Sequence, residues 1–313
     1  MIEAEKLGKM FESFTAVNDL SLNVPAGQLL ALLGPNGAGK TTTVRMLGAI
    51  LSPTSGEARV NGYDVVRQAD QVRRAIGMLT EQPGLYDRMS GLEYLTFYGR
   101  LYGIPDKVTE QKGRAMFERF YMKGAEVRRL GTYSKGMKQK VGLIRALLHD
   151  PSVLLLDEPT SAMDPHSAKL VRDAIIELRN DRRTIILCTH NLAEAELLAD
   201  KIAIIKQGSI ISQGTIQQLK SQLLGQPEME VRVDKALNGA VPELNQLVSV
   251  EWVHNDTLRY RTETPDITNP QLVRCLQEMG LGIISLQQVS QSLEQVYLRV
   301  IEEIDLTQRE EVA

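Results

Sequence analysis

A chain of 313 residues, 43% hydrophobic and 24% charged, has the composition of a globular protein large enough for one large or two ordinary domains. Its 36 basic and 39 acidic residues leave a net charge of −3, which gives none of the basic footprint of a nucleic-acid binder, although a local patch could still exist. Its two cysteines, Cys188 and Cys275, are too far apart in sequence for a disulfide framework or zinc site and point to a reducing compartment.

The start, MIEAEKLGKMF, lacks the basic and apolar parts of a secretory leader. No run approaches the ~18 apolar residues of a membrane-spanning helix, so any membrane role is expected to run through a partner. Residues 1 to about 35 predict three strands, IEAEKLGKMF, TAVNDLSLNV and GQLLALLG, with Pro25-Ala26-Gly27 as the turn between the last two. A helix is expected after Lys40 through TTVRMLGAIL, ending before Ser52-Pro53. SGEARVNGYDV predicts a hairpin that turns on Asn61-Gly62.

From about Leu85 to Asp150 apolar residues recur at three- and four-residue spacing, as in LEYLTFYGRLYG and KQKVGLIRALLHD, which predicts helices. VLLLD and TIILCTH are short, nearly continuous apolar runs of the kind that buried parallel strands show. A helical stretch, HSAKLVRDAIIELRN, lies between them, and strand, helix, strand implies a parallel sheet wrapped by helices. A second unit is expected after LKSQLLGQPE, near residue 226. There MEVRVD, VEWVHNDTLRYRT and GIISLQQV read as strands, and VPELNQLV, NPQLVRCLQEMG and SLEQVYLRVIEEI as helices. The expected division is an α/β domain over 1–222, with helices over about 85–150, a small α+β domain over 226–305, and a frayed tail over 306–313.

The stretch GPNGAGKTT, Gly34 to Thr42, follows the strand LLALL and opens a helix. It matches the phosphate-binding pattern Gly34-x-x-x-x-Gly39-Lys40-Thr41. Across Gly34, Pro35, Asn36, Gly37, Ala38 and Gly39 the glycines let the backbone curl so that successive N–H groups point at phosphate oxygens. The helix beginning near Lys40 turns its positive end to the same anion. Lys40 is expected on the β- and γ-phosphates, the Thr41 hydroxyl on magnesium, and Thr42 near the α-phosphate. The bland alternative is a glycine-rich turn, which the flanking strand and helix disfavour.

VLLLDE, Val153 to Glu158, ends in two acids, Asp157 and Glu158. At the carboxyl end of a parallel strand Asp157 is expected to face magnesium and Glu158 to polarise an attacking water. His190 ends TIILCTH at the same predicted edge, where it can donate to a γ-phosphate. His149, His166 and His254 have no such placement.

With these residues in hand, positions 1 to about 220 resemble the ATP-binding subunit of ABC transporters. YSKGMKQK, Tyr133 to Lys140, is similar to the family signature usually written LSGGQ. SAMD, Ser161 to Asp164, resembles its D-loop, and Thr189-His190 its switch histidine, all in family order and spacing. The resemblance implies an ABC ATPase fold with a mixed or parallel core sheet, an antiparallel β subdomain and a helical subdomain. It implies two subunits closing head to tail around two ATP molecules with magnesium, Ser134 and Gly136 reaching the γ-phosphate bound by the other chain. Phe11 lies where the family has an aromatic that stacks on adenine. In IGMLTEQPGLY, Glu81 falls where the family has a glutamine near magnesium, with Gln82 as the neighbouring alternative.

YSKGMKQ, EQPGLYDRMSGLEYL and the ending SLEQVYLRV resemble the ABC-2 export subset, in which the ATPase pairs with a separate membrane protein. This implies a location on the cytoplasmic face of a membrane, reached through that partner. Gly84, Leu85, Tyr86 and Met89 are candidates for its docking groove. The alternative is an ABC ATPase acting on ribosomes or DNA, which the single cassette and the acidic balance disfavour.

Overall fold

Runs such as LLALL and VLLLD show no polar alternation because the sheet they build is covered on both faces. The computed structural model describes residues 1–161, 163–237, 239, 241–289 and 292–298. The expected tail, the end of the last expected helix and Ala162 of the SAMD stretch lie outside the described residues. The chain divides into two units, Met1–Ile216 and Gln217–Ala313.

The first unit begins with β1 (Ile2–Phe11), β2 (Phe14–Val24), β3 (Leu29–Leu33), α1 (Lys40–Leu47), β4 (Ser55–Val60), β5 (Tyr63–Asp64), α2 (Ala69–Ala75) and β6 (Ile76–Leu79). It continues through α3 (Gly91–Leu101), α4 (Asp106–Arg119), α5 (Lys135–Leu147), β7 (Val153–Asp157), α6 (Pro165–Asn180), β8 (Thr184–Thr189), α7 (Leu192–Leu198), β9 (Lys201–Lys206) and β10 (Ser209–Gly214). Six strands pair in the order β10-β9-β3-β8-β7-β6, parallel from β9 to β6, with β10 antiparallel at the edge. A second sheet, β2-β1-β4-β5, is antiparallel throughout.

The side-chain period of two divides the parallel strands between two cores. Leu30, Leu32, Val153, Leu155, Ile186 and Cys188 enter one with α1 and the antiparallel sheet. Leu29, Leu154, Leu156, Ile185 and Leu187 enter the other with the helical segment and α6. Both faces are dry, so both sets must be apolar.

Local chemistry sets the ends of the elements. α1 stops at Leu47, short of the expected end, because Gly48 caps it and Ala49 turns left-handed at φ 52°. Asn61 and Gly62, at φ 52° and 83°, make the tight turn that joins Val60 to Tyr63. Ser90 accepts from the Glu93 N–H while the Glu93 side chain accepts from the Ser90 N–H, a capping box that starts α3.

The second unit contains α8 (Ile216–Leu224, entered after its first residue), β11 (Glu228–Val233), α9 (Val241–Leu244), β12 (Ser249–His254), β13 (Thr257–Arg261), α10 (Pro265–Glu278) and β14 (Ile283–Gln288). Its antiparallel sheet runs β12-β13-β11-β14 around a core of Met229, Val231, Leu258, Tyr260, Leu272 and Leu276. The division falls at the start of α8, ahead of the break expected at 222–226. VEWVHNDTLRYRT is a hairpin rather than one strand, turning where Asn255 adopts φ 49°. α10 starts four residues before the expected Asn269, since Pro265 at its first position needs no N–H partner and Pro270 forgoes one rung. Residues 293–298 are helical, with Leu293 and Val296 buried.

Ser90→Ala removes one half of the capping box and is expected to cost about 1 kcal/mol, read as a lower urea midpoint. An unchanged midpoint would show that tertiary packing alone sets the start of α3.

Candidate functional site

Register brings the site residues together. The pairs Leu33↔Thr189, Asp157↔Cys188 and Leu79↔Leu156 align the carboxyl ends of β3, β8, β7 and β6. The residues next in sequence are Gly34, His190, Glu158 and Thr80-Glu81. Four distant stretches of chain thus share one sheet edge, the position where parallel sheets bind ligands.

The loop between β3 and α1 tolerates only glycine at two points. A Cβ at Gly34 would lie 2.3 Å from the Ile205 carbonyl oxygen, and one at Gly39, held at φ 103°, would lie 2.6 Å from the Ala16 carbonyl oxygen. Lys40 Nζ donates to the carbonyl oxygens of Gly34 at 2.7 Å and Pro35 at 3.0 Å, and lies 4.0 Å from Glu158 Oε1. A phosphate would offer this buried ammonium charged acceptors in place of neutral carbonyls.

Thr41 Oγ1 donates to Asp157 Oδ2 at 2.8 Å, while Asp157 Oδ1 is buried without a partner. Burial pushes the Asp157 carboxyl up; the Thr41 bond opposes this, and the charges of Glu158 and Glu81 add to the rise. The Thr41 hydroxyl and the spare Asp157 oxygen are oxygen donors of the kind that fits magnesium, which would complete its shell from phosphates and water.

Glu158 leaves β7 at φ 51°, a left-handed backbone rare for a side chain of its size, and is 8% exposed. Its N–H donates to the Cys188 carbonyl at 2.9 Å, and its own carbonyl accepts from Gln139 Nε2 at 3.3 Å. Its Oε1 lies 2.7 Å from His190 Nδ1. With the carboxylate ionised, Nδ1 carries the proton and donates.

A cleft of about 420 Å³ joins these parts, lined by Phe14, Ala16, Asn36, Gly37, Gly39, Lys40, Thr41, Thr42, Glu81, Asp157 and Glu158. Glu81 lines it and Gln82 does not. The Gln82 carbonyl instead accepts from Thr80 Oγ1 at 2.7 Å. Phe14 lines it whereas Phe11 does not. Phe11 is 44% exposed at the other side of the β1–β2 turn, with Lys9 Nζ 5.2 Å from its ring centre. Ser134 and Gly136 are also outside this chain's own cleft. Ser134 is exposed and caps α5, its Oγ accepting from the Met137 N–H at 3.2 Å.

Sequence reasoning passed over Phe14, Gln139, Thr160 and Glu194. For Glu194 a signal existed: Asn191 followed three residues later by an acid is a helix-start pattern. Of the remaining histidines, His149 is pushed down by burial and stacks on Tyr102 at 3.8 Å, a packing role.

Residues 17–161 match the family model described as ABC transporter. An uncharacterized ABC transporter ATP-binding protein, YxlF of Bacillus subtilis, is 38% identical over 96% of this chain and 99% of its own length. The daunorubicin/doxorubicin resistance ATP-binding protein DrrA of Streptomyces peucetius is 36% identical over 95% of this chain and 91% of its own. A solved ATP-binding subunit of an ABC transporter superposes with a TM-score of 0.67 at 28% identity, covering 72% of this chain and 94% of that one.

The raised Asp157 carboxyl implies a stability cost at neutral pH. The charged form is disfavoured in the fold, so the cost is present above the raised pKa and fades as pH falls through it. Asp157→Asn is expected to melt above the parent at pH 7–8 without nucleotide, with the gain shrinking in acid. Equal or lower melting at neutral pH would contradict this.

Proposed function

Because the chain belongs to the ABC transporter family of ATP-binding proteins, we propose that it is the ATP-hydrolysing subunit of an export system whose membrane-spanning part is a separate protein. ATP hydrolysis is the activity of the family. The observation that carries the reading is the 2.7 Å contact between Glu158 and His190, set beside the Lys40 cradle on one sheet edge.

In this reading the loop N–H groups and Lys40 hold the β- and γ-phosphates, and Thr41 and Asp157 hold magnesium. The bound cation supplies positive charge against the phosphate oxygens. Glu158 orients the attacking water and accepts its proton, and His190 fixes the carboxylate through Nδ1. Catalysis is then mainly positioning and electrostatics. Phe14 lines the phosphate cleft and Phe11 sits across the same turn, so the hairpin supplies the aromatic face for adenine, with Phe11 assigned by resemblance.

Ser134 and Gly136 are assigned to a nucleotide held by a second copy or a related subunit. Their absence from this chain's cleft and the exposure of Ser134 at the head of the 13-residue α5 support that assignment.

The membrane partner is assigned to a groove of about 210 Å³ lined by Gly48, Ile50, Arg73, Met78, Thr80, Tyr98, Tyr102 and Arg145 among others. Ile50 is 61% exposed there, and Tyr86 and Phe97 expose apolar surface on the same helical subdomain. None of Gly84, Leu85, Tyr86 and Met89, expected to line a docking groove, lines this one; Leu85 and Met89 pack partly buried against the helical core, and Met89 also lines a separate cleft with Arg88 and Phe97. No described helix is long and apolar enough to cross a membrane, which suits attachment through such a groove on the cytoplasmic side, where ATP is found. The name of the DrrA relative supports a drug- or antibiotic-like cargo. The ribosome or DNA alternative is not favoured, since the relatives are named for transport and resistance.

Glu158→Gln is expected to lower kcat for ATP by roughly 10²–10⁴ and to accumulate a Mg-ATP-bound dimer on sedimentation. Turnover close to the parent would overturn the role of Glu158. Pulldown with this variant and Mg-ATP from detergent-solubilised native membranes is expected to recover a multi-spanning protein. Recovery of ribosomal or DNA-bound factors instead would remove the transport reading.

A further inference from the structure

α7 carries a carboxylate into the interior. Glu194 is 2% exposed, and both of its oxygens are taken by hydroxyls. Thr160 Oγ1 donates to Oε1 at 2.7 Å, and Thr189 Oγ1 donates to Oε2 at 2.7 Å. Thr189 Oγ1 also accepts from the Asn191 N–H at 3.0 Å, and the Glu194 N–H donates to Asn191 Oδ1 at 3.1 Å. Thr160 lies two residues after Glu158, and Thr189 immediately precedes His190. The two ends that this carboxylate ties together are therefore the two that carry the 2.7 Å Glu158–His190 contact.

A buried carboxylate costs more than an apolar side chain of the same shape. The start of α7 does not account for that cost, because Asn191 already caps the helix through its own side chain. A loose tie here would be felt at the reacting atoms, since a misplacement of about 1 Å can cost 10²-fold in rate.

We propose that Glu194 is a positioning residue for ATP hydrolysis: one carboxylate that clamps the segment leaving β7 to the segment leaving β8 and so sets the Glu158–His190 separation. The inference rests on the roles given to Glu158 and His190 above. Glu194 touches neither nucleotide nor water in this scheme; it acts through the two threonines. The clamp joins the turn after β7 to the end of β8, the segments that carry Glu158 and His190, so its main effect falls on turnover.

The test measures Mg-ATP turnover, Mg-ATP affinity and thermal melting on the full chain for Glu194→Ala, Glu194→Gln, Thr160→Val, Thr189→Val and the double variant Thr160→Val with Glu194→Ala. The expected result is at least a tenfold loss of kcat per folded molecule in Glu194→Ala, with KM and Kd for Mg-ATP within twofold. Glu194→Gln, which keeps the shape and one acceptor, should recover part of the loss. The double variant should cost little more than Glu194→Ala alone, because both changes break one clamp. Turnover within twofold of the parent in folded Glu194→Ala, a loss confined to KM, or fully additive losses would overturn the inference. If Glu194→Ala fails to fold, the near-isosteric threonine variants decide, and unchanged kcat in both overturns it. A parent without ATP turnover would remove the reading of the site and this inference together, whereas an active parent with unaffected variants removes the inference alone.

Discussion

The register of four parallel strands is the constraint on which the rest of this structure depends. Contacts among the loops, such as the one between Glu158 and His190, only refine an arrangement of Gly34, Glu81, Glu158 and His190 that strand pairing creates. They meet because Leu33 pairs with Thr189, Cys188 with Asp157 and Leu156 with Leu79. That register is enforced from both faces, since a one-residue slip of β7 would exchange Leu154 and Leu156 with Val153 and Leu155 between two differently shaped cores. Packing energy spent far from any ligand thereby becomes precision at the sheet edge.

The edge itself is arranged against the grain of stability. Asp157 sits buried with one oxygen unsatisfied, its carboxyl raised by that burial and by two neighbouring acids. Glu158 holds a left-handed backbone. Lys40 is parked on loop carbonyls. The Asp157 and Lys40 arrangements are worse without a ligand than with one, because a cation would satisfy the orphan oxygen and a phosphate would take the ammonium.

The parts of this design that rest on local chemistry were legible in the sequence. The glycine pattern, the double acid after VLLL and the histidine after TIILCT each declare a strand end, and the Asn61-Gly62 pair declares the turn that its φ values confirm. What was not legible depends on the third dimension. KIAIIKQGSIISQG carries its own hairpin signal at Gln207 and Gly208, at φ 49° and 83°, yet its place at the sheet edge follows only from pairing with β3. Phe11 and Phe14 flank one turn, and no periodicity says which of them faces the cleft. Glu194 reads as a helix-start acid, and only the fold shows that Thr160 reaches it from the turn after β7.

The same sheet explains how events at the helical surface can reach the nucleotide edge. Met78 and Thr80 line the groove assigned to a partner, and Glu81, the next residue, lines the phosphate cleft. Arg145 of α5 grips this stretch, with Nη1 donating to the Pro83 carbonyl at 2.9 Å and to Tyr94 Oη at 2.8 Å, and Nη2 to the Met78 carbonyl at 3.3 Å. Ser134, the residue assigned to the nucleotide of a second subunit, caps α5. The groove is thus joined to Glu81 through the backbone and to α5 through a guanidinium with three hydrogen-bonded anchors.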